Sequence, residues 1–292
     1  MITILDGGMG GELIRRGAGS EGGLWSAEAL LHAPEAVVDT HRAYIEAGAS
    51  VITTNSYSSI PSYLAKENLE HRYAELTALA GELARSAAEA GSESVRVAGG
   101  LPPLGESYRP DLVPRDDEAR PVYRAMAEAL EPNVDLFMCE TMSCARESRN
   151  AAAAAKEAGA SRSLPVYVSW TLNEDPGAGL RSGESVETAF ESLRDLELDG
   201  FLFNCTHADA IERGLEVLSD LTDKPIGGYP NRFVVPPGWS LDSDVSVAPR
   251  MDFGTKLFVE AAERCIARGA TLFGGCCGIG PPDIAALAQA VA

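Results

Sequence analysis

Short apolar runs alternate with longer amphipathic stretches along the whole chain. Eight runs have the length of buried strands, and they lie at 2–5, 51–54, 95–100, 134–140, 165–171, 200–205, 225–229 and 271–275. Apolar positions at helical spacing predict helices between them, at 34–47, 66–90, 118–131, 144–159, 185–196, 209–221 and 253–268, with a last helix starting at Pro281-Pro282. Strands that alternate with helices in this way indicate a parallel sheet.

Eight strand–helix units in 292 residues predict one α/β domain over residues 1–292, a (β/α)8 TIM-type barrel with its active site at the C-terminal ends of the strands. The alternative is a doubly wound open sheet, which needs fewer units and usually carries a glycine fingerprint after strand one. The opening segment DGGMGGEL does not match GxGxxG. The irregular stretches at about 100–117 and 230–251 both follow strands, so we expect them at the barrel mouth.

Composition and charge narrow the class of partner. Apolar residues make up 45% of the chain and charged residues 23%, which are globular proportions. A net charge of −19 would repel phosphate backbones and anionic lipid, so neither nucleic acid nor a membrane is an expected partner. No apolar run approaches about 20 residues and MITILDGG does not resemble a signal peptide, which predicts a cytoplasmic protein with mostly reduced cysteines. Oligomeric state is left open.

Polar and chemically reactive side chains stand directly after several of the predicted strands. In a barrel these positions surround one mouth. They are Asp6, Asn55-Ser56-Tyr57, Glu140, Asn204-Cys205, Tyr229-Pro230-Asn231 and Cys276-Cys277.

Three cysteines in this set form a candidate zinc site. Cys205 follows strand six, whereas Cys276 and Cys277 follow strand eight, so they can converge although 71 residues separate the first two. Three thiolates with one open position suit catalytic zinc, and three anionic ligands favour alkylation of a bound thiolate over activation of water. The alternative for an adjacent cysteine pair is plain burial. The other cysteines are predicted to pack in the interior: Cys139, Cys144 and Cys265.

Two acids at the same mouth suggest a pocket for an amino acid. An ammonium group would be held between Asp6 and Glu140, and backbone amides of Gly7-Gly8 could bind a carboxylate. The alternatives are a turn or helix-capping role for Asp6 and a salt bridge for Glu140.

Motifs along the chain resemble those of the homocysteine S-methyltransferase family. The segments occur in the family's order and spacing, and they are ILDGGMGGEL, LWSAEAL, ITTNSY, CETM, FNCT, YPN and GGCCGIGPPDI. The resemblance covers essentially the whole chain, and its most specific part is the NC…GGCC set with the DGG opening. It implies a (β/α)8 barrel in which zinc, bound by three cysteines, supports methyl transfer to the sulfur of homocysteine to give methionine.

The resemblance also assigns residues position by position. Cys205, Cys276 and Cys277 would bind zinc, while Asp6, Gly7, Gly8 and Glu140 would hold the amino-acid end of homocysteine. Trp25 and Tyr57 match aromatic positions that flank the methyl donor, where a ring face attracts a cation, although ordinary packing is the alternative. The segment GESYRPD is similar to a stretch of S-methylmethionine-type members, and it places Tyr108 and Arg109 near the mouth. Asn231, in YPN, completes the expected substrate-binding set.

Two departures weaken the match at the donor end of the site. Gly11 stands where the family commonly has threonine or alanine, and the proline-rich segment 231–251 matches no family stretch. Because the sequence contains no folate or cobalamin module, it is not expected to be a complete cobalamin-dependent methionine synthase.

The sequence therefore predicts a zinc-dependent methyltransferase that acts on homocysteine or its selenium analogue. The donor would be a sulfonium or quaternary ammonium compound, with S-methylmethionine or S-adenosylmethionine favoured. Two alternatives stay open: a repurposed barrel that binds a small thiol or amino acid without methyl transfer, and a zinc hydrolase.

Overall fold

The computed structural model describes residues 2–19, 23–91, 94–236, 238–239 and 247–292. Its central sheet has eight strands, β1 (Thr3–Ile4), β2 (Val51–Thr53), β3 (Arg96–Leu101), β4 (Leu136–Met142), β5 (Val166–Trp170), β6 (Gly200–Asn204), β7 (Ile226–Tyr229) and β10 (Leu272–Phe273). A separate antiparallel hairpin joins β8 (Phe233–Val234) to β9 (Ala248–Pro249) and belongs to segment 231–251, of which 237 and 240–246 lie outside the described residues.

The eight strands are parallel and close into a barrel. Their hydrogen-bonded order is β1-β10-β7-β6-β5-β4-β3-β2. The two end strands meet through a parallel bridge between Leu5 and Val51, where the amide of Asp6 donates to the carbonyl of Val51 at 3.1 Å. The predicted (β/α)8 architecture is thus confirmed.

Helices surround the barrel, with one face of each packed inward. They are α1 (Met9–Arg15), α2 (Ala27–His32), α3 (Pro34–Glu46), α4 (Pro61–Leu64), α5 (Tyr73–Glu89), α6 (Asp116–Leu130), α7 (Ala145–Gly159), α8 (Val186–Glu191), α9 (Ala208–Leu221), α10 (Thr255–Ala267) and α11 (Pro281–Val291). Short 3-10 helices lie at Ala65–Glu67, Glu70–Arg72, Pro110–Leu112, Glu131–Asn133, Ala160–Arg162 and Arg194–Leu196. Within the described ranges, no helix is both long and apolar enough to cross a membrane.

Two predicted helices differ from the observed ones. The helix expected over 66–90 begins only at Tyr73, because Asn68 adopts a left-handed conformation with φ of 58° and ends the preceding 3-10 turn. The helix expected over 185–196 ends at Glu191 and continues as a 3-10 turn. The short helices α1, α2 and α4 were not predicted, since four to seven residues are too few to establish a helical period.

The barrel interior is filled by one apolar cluster with members from seven of the eight strands and from Leu5, which directly follows β1. These are Leu5, Val51, Ala98, Leu136, Met138, Tyr167, Leu202, Tyr229 and Leu272. Side chains alternate along a strand, so Glu140 points the same way as Met138, two residues before it on β4. The interior cluster therefore forms a floor beneath the polar residues at the strand ends.

Candidate active site

The three predicted zinc ligands meet at the C-terminal end of the barrel. The Sγ atoms of Cys205, Cys276 and Cys277 all lie within 4.8 Å of one another, and those of Cys205 and Cys277 are 3.7 Å apart. Cys205 follows the last residue of β6, and the adjacent pair occupies the turn between β10 and α11. β7 lies between β6 and β10 in the sheet, so the barrel topology brings these sulfur atoms together.

Local backbone geometry turns the three thiols toward one point. Cys205 has φ of 53°, a left-handed conformation that is uncommon for a residue with a side chain, and its amide donates to the carbonyl of Tyr229 at 3.2 Å. The amide of Cys276 donates to the carbonyl of Pro230 at 2.8 Å. Gly278, with φ of 80°, then reverses the chain before α11. Neighbouring cysteines can thus face the same centre.

The geometry and chemistry of the three thiols fit a metal ion. A tetrahedral site with metal–sulfur bonds of about 2.3 Å separates its sulfur atoms by about 3.8 Å, close to the observed distance between Cys205 and Cys277. Thiolates select soft or borderline metals rather than magnesium or calcium. Three sulfur ligands also leave one tetrahedral position for a substrate atom.

The three thiols share protons unequally. Hydrogen bonds from Cys276 and Cys277 stabilise the thiolate of Cys205 and lower its pKa. The same contact with Cys205 raises the pKa of Cys276 and the pKa of Cys277. One thiolate therefore forms readily, and a bound cation would be needed to deprotonate all three at neutral pH.

Asp6 and Glu140 are buried carboxyl groups at the same mouth. Burial raises the pKa of Asp6 to about 7, although its carboxylate accepts hydrogen bonds from the amide and hydroxyl of Thr53 at 2.7 and 3.4 Å. Burial likewise raises the pKa of Glu140 to about 8, and the negative charge of Cys205 acts in the same direction. An ammonium group placed between the two acids would offset the cost of ionising them.

Gly7 and Gly8 lie against the cysteine pair. The amide of Gly8 donates to the carbonyl of Ile279 at 2.9 Å, so it is already paired and is not available as the carboxylate donor we expected. A Cβ at Gly8 would lie 2.8 Å from the carbonyl oxygen of Cys276. The glycine therefore permits a close approach of two backbones beside the cysteine pair.

A cavity of about 150 Å³ connects the cysteines with the two acids. Of the predicted site residues, the structure brings together around it Asp6, Gly7, Gly8, Trp25, Tyr57, Tyr108, Glu140, Cys205, Cys276 and Cys277. Two further polar atoms of its lining, Oδ1 of Asn55 and the hydroxyl of Tyr229, are buried without a hydrogen-bond partner among the described residues. Such atoms are satisfied when a polar ligand binds.

Aromatic side chains form one wall of the cavity. The rings of Trp25 and Tyr57 meet edge to face, with centroids 5.9 Å apart, and the hydroxyls of Tyr57 and Ser107 are 2.7 Å apart. The ring of Tyr108 packs against Trp239, again with centroids 5.9 Å apart. These rings could surround a cationic methyl donor.

Asn231 and Arg109 lie outside this cavity. Asn231 lines a neighbouring cavity of about 940 Å³, where its buried Nδ2 has no hydrogen-bond partner in the described part of the chain. Arg109 instead pairs with Asp111 at 2.6 Å and donates to the carbonyl of Gly238. It therefore stabilises the rim of the mouth.

Tyr229 and Asn204 were predicted at the mouth without an assigned role, and Trp239 was not predicted to contribute to this site. Trp239 and Tyr229 line the cavity, and Asn204 links two strand ends through hydrogen bonds to the amide and hydroxyl of Thr141, both 2.8 Å long. Position after a strand was a usable signal for Tyr229 and Asn204. Trp239 lies in an irregular loop, where periodicity gives no such signal.

Comparisons with known proteins agree with this site. A family model described as homocysteine S-methyltransferase matches residues 3–291. The chain is 30% identical to the homocysteine S-methyltransferase of Escherichia coli strain K12, with 98% of this chain and 94% of that protein covered. It is 28% identical to the homocysteine S-methyltransferase YbgG of Bacillus subtilis strain 168, with 98% and 93% covered.

Comparison with solved structures also finds a homocysteine methyltransferase similar to this chain. The homocysteine methyltransferase MmuM from Escherichia coli, in its metallated form, is similar with a TM-score of 0.81 and 28% identity, covering 99% of this chain and 96% of that one. Its apo form gives a TM-score of 0.75 at 26% identity, covering 99% and 95%. A carboxyl transferase domain of Rhizobium etli pyruvate carboxylase shares only the fold, at 10% identity and a TM-score of 0.54, covering 99% and 46%.

Proposed function

The chain belongs to the homocysteine S-methyltransferase family, and from this premise we propose that it binds zinc through Cys205, Cys276 and Cys277 to methylate homocysteine. Methyl transfer to homocysteine is the activity of the family. The observation that carries the zinc proposal is the convergence of three sulfur atoms, within 4.8 Å of one another, on the cavity that holds two buried acids.

Homocysteine would bind with its sulfur toward the cysteines and its ammonium toward Asp6 and Glu140. Both carboxyl groups line the cavity with the three thiols, so one small amino acid can contact both ends. A zinc ion held by three thiolates would supply a position at which the substrate thiol stays deprotonated and nucleophilic. Asp6, tied to Thr53, and Glu140 on β4 would orient the substrate, so proximity contributes much of the rate.

The donor would be a sulfonium or quaternary ammonium compound, with S-methylmethionine or S-adenosylmethionine favoured. Support comes from the aromatic wall, since Trp25, Tyr57 and Tyr108 line the cavity beside the cysteines. Ring faces attract a methyl-bearing cation without forming a bond that would hold the neutral product. Enclosure by these rings would also exclude water from the sulfur nucleophile.

The test combines zinc analysis with a methyl-transfer assay. Purified protein is assayed with homocysteine against S-methylmethionine, S-adenosylmethionine and betaine, and zinc is quantified in the same sample. We expect about one zinc per chain and methionine formation, with both lost in Cys276→Ala. Cys144→Ala is the matched control, because this buried cysteine occupies the N-cap position of α7, outside the cluster, and makes no side-chain capping hydrogen bond there.

Three outcomes would contradict the proposal. Full activity in zinc-free Cys276→Ala would reject the metal assignment. Bound zinc without methylation of homocysteine by any donor would favour a binding protein. Zinc-dependent cleavage of esters or amides would favour a hydrolase.

A further inference from the structure

An ion cluster outside the cavity links two loops of the barrel mouth. Glu174, in the β5–α8 loop, lies 2.9 Å from Nη2 of Arg181 and 2.5 Å from Nη2 of Arg250. Their side chains are only 22%, 6% and 17% exposed, respectively. Charges this poorly hydrated hold their geometry strongly, since moving one partner leaves another unpaired.

Both arginines also bind the backbone of the β8–β9 hairpin. Arg181 donates to the carbonyl of Val235 at 3.3 Å, and Arg250 donates through Nε to the carbonyl of Phe233 at 3.1 Å. Glu174 therefore anchors the hairpin to the β5–α8 loop. Trp239, which lines the cavity, lies in the same loop between β7 and α10.

The same cluster also contacts the ring of Tyr108 through Arg181. The guanidinium carbon of Arg181 lies 5.1 Å from the centroid of the Tyr108 ring, and that ring packs on Trp239. Tyr108 has φ of 65°, a left-handed conformation that a side-chain-bearing residue keeps only when its surroundings hold it. Arg181 is suitably placed to do so.

We propose that Arg181, Glu174 and Arg250 form a positioning cluster that holds Tyr108 and Trp239 against the cavity and thereby sets the affinity for the methyl donor. Tyr108 and Trp239 line both the small cavity and the larger neighbouring one, so they form part of the wall between the two. The cluster contacts neither acid of the amino-acid pocket. Its effect should therefore fall on the donor, a conclusion that rests on the proposed methyl transfer.

Glu174→Gln and Arg250→Met are the test variants, because they break the cluster from two sides without altering a cavity residue. Glu212→Gln is the matched control, since Glu212 pairs with Arg264 at 2.7 Å and Arg268 at 3.4 Å in a similar cluster on the outer surface. Donor KM, homocysteine KM, kcat and zinc content are measured with S-methylmethionine and S-adenosylmethionine.

We expect both test variants to raise the donor KM about tenfold, equivalent to about 1.4 kcal/mol, while homocysteine KM and zinc content stay as in the wild type. Glu212→Gln should match the wild type throughout. An unchanged donor KM in both variants would overturn the proposal. So would a parallel loss of zinc, kcat and homocysteine affinity, which would indicate a merely structural role.

A second readout separates this proposal from the proposed function. Acrylamide quenching of Trp239 fluorescence, obtained by difference from the same protein with Trp239→Phe, should increase in Glu174→Gln and not in Glu212→Gln. If the wild type methylates nothing, the proposed function fails, yet increased quenching still supports the positioning cluster. Unchanged quenching in Glu174→Gln and Arg250→Met would reject it independently of activity.

Discussion

Glu140 gives a sharp test of the proposed amino-acid pocket because burial moves its ionisation into the neutral pH range. Its side chain is 8% exposed, and burial raises its pKa to about 8. Zinc bound by three thiolates would leave one net negative charge at the cluster, as a lone Cys205 thiolate does, so the raised pKa should persist in the loaded protein. Binding of homocysteine should then require an ionised Glu140.

The magnitude follows from the pairing of a buried carboxylate with an ammonium. Removing one partner of such a pair costs about 2–5 kcal/mol, so Glu140→Gln should weaken homocysteine binding about 30-fold or more at pH 9. A carboxyl group with a pKa near 8 is about 9% ionised at pH 7 and about 76% ionised at pH 8.5. The charged form is present above the pKa, so wild-type affinity should rise about eightfold over this interval.

The assay is kcat/KM for homocysteine at saturating donor between pH 6.5 and 9. The wild-type value divided by the Glu140→Gln value cancels the titration of the substrate thiol, and this ratio should rise with pH through about 8. Glu147→Gln is the matched control, since Glu147 is a buried carboxyl with a pKa of about 7 that binds Ser143 outside the cavity. A flat ratio for Glu140→Gln would refute the assigned contact with the ammonium.

Two further predictions concern stability and metal affinity. His41 is fully buried, and burial lowers its pKa in the folded protein to about 3. In the unfolded chain the same imidazole is protonated as pH falls below about 6.5, so the proton binds preferentially to the unfolded state. Between pH 7 and 5, the free energy of unfolding of the wild type, measured in urea, should therefore fall by about 2 kcal/mol relative to that of His41→Leu. The same difference between the two proteins at both pH values would contradict this prediction. Gly8→Ala, whose Cβ meets Cys276, should lower zinc affinity about tenfold or more in chelator competition. Gly11→Ala, whose Cβ would lie in open space, should leave the zinc affinity unchanged. Equal zinc affinities for Gly8→Ala and Gly11→Ala would reject the argument.

The barrel and the convergence of its three cysteines were predictable because each depends on a regular pattern. Buried parallel strands give apolar runs, and residues after those strands meet at one mouth, which located Cys205 and Glu140 from sequence position alone. The helices α1 and α2 have seven and six residues and no side-chain hydrogen bond at their N-caps. Packing of residues such as Leu13 and Leu30 in a shared apolar cluster stabilises them, and no local signal reports that packing.

Contacts between irregular loops were not predictable for a related reason. Tyr108 and Trp239 meet although they lie far apart in the sequence, and neither belongs to a periodic element. Arg109 shows the same limit, because its family-like segment suggested a substrate contact near the mouth, whereas its ion pair with Asp111 lies at the rim, outside the cavity. Side-chain direction in a loop depends on such partners, which spacing does not encode.

Backbone strain in the described part of the chain separates functional from structural positions. Seven non-glycine residues there have positive φ, and three of them, Asn68, Ser163 and Glu197, end 3-10 helices. Of the other four, Trp25, Tyr108 and Cys205 line the cavity, and Thr141 directly follows the lining residue Glu140. Glycine would relieve this strain, but each of these positions needs its side chain, so the fold must hold them through contacts such as the amide of Cys205 on Tyr229. A mouth held in this way before substrate arrives is preorganised for a reaction that depends on proximity.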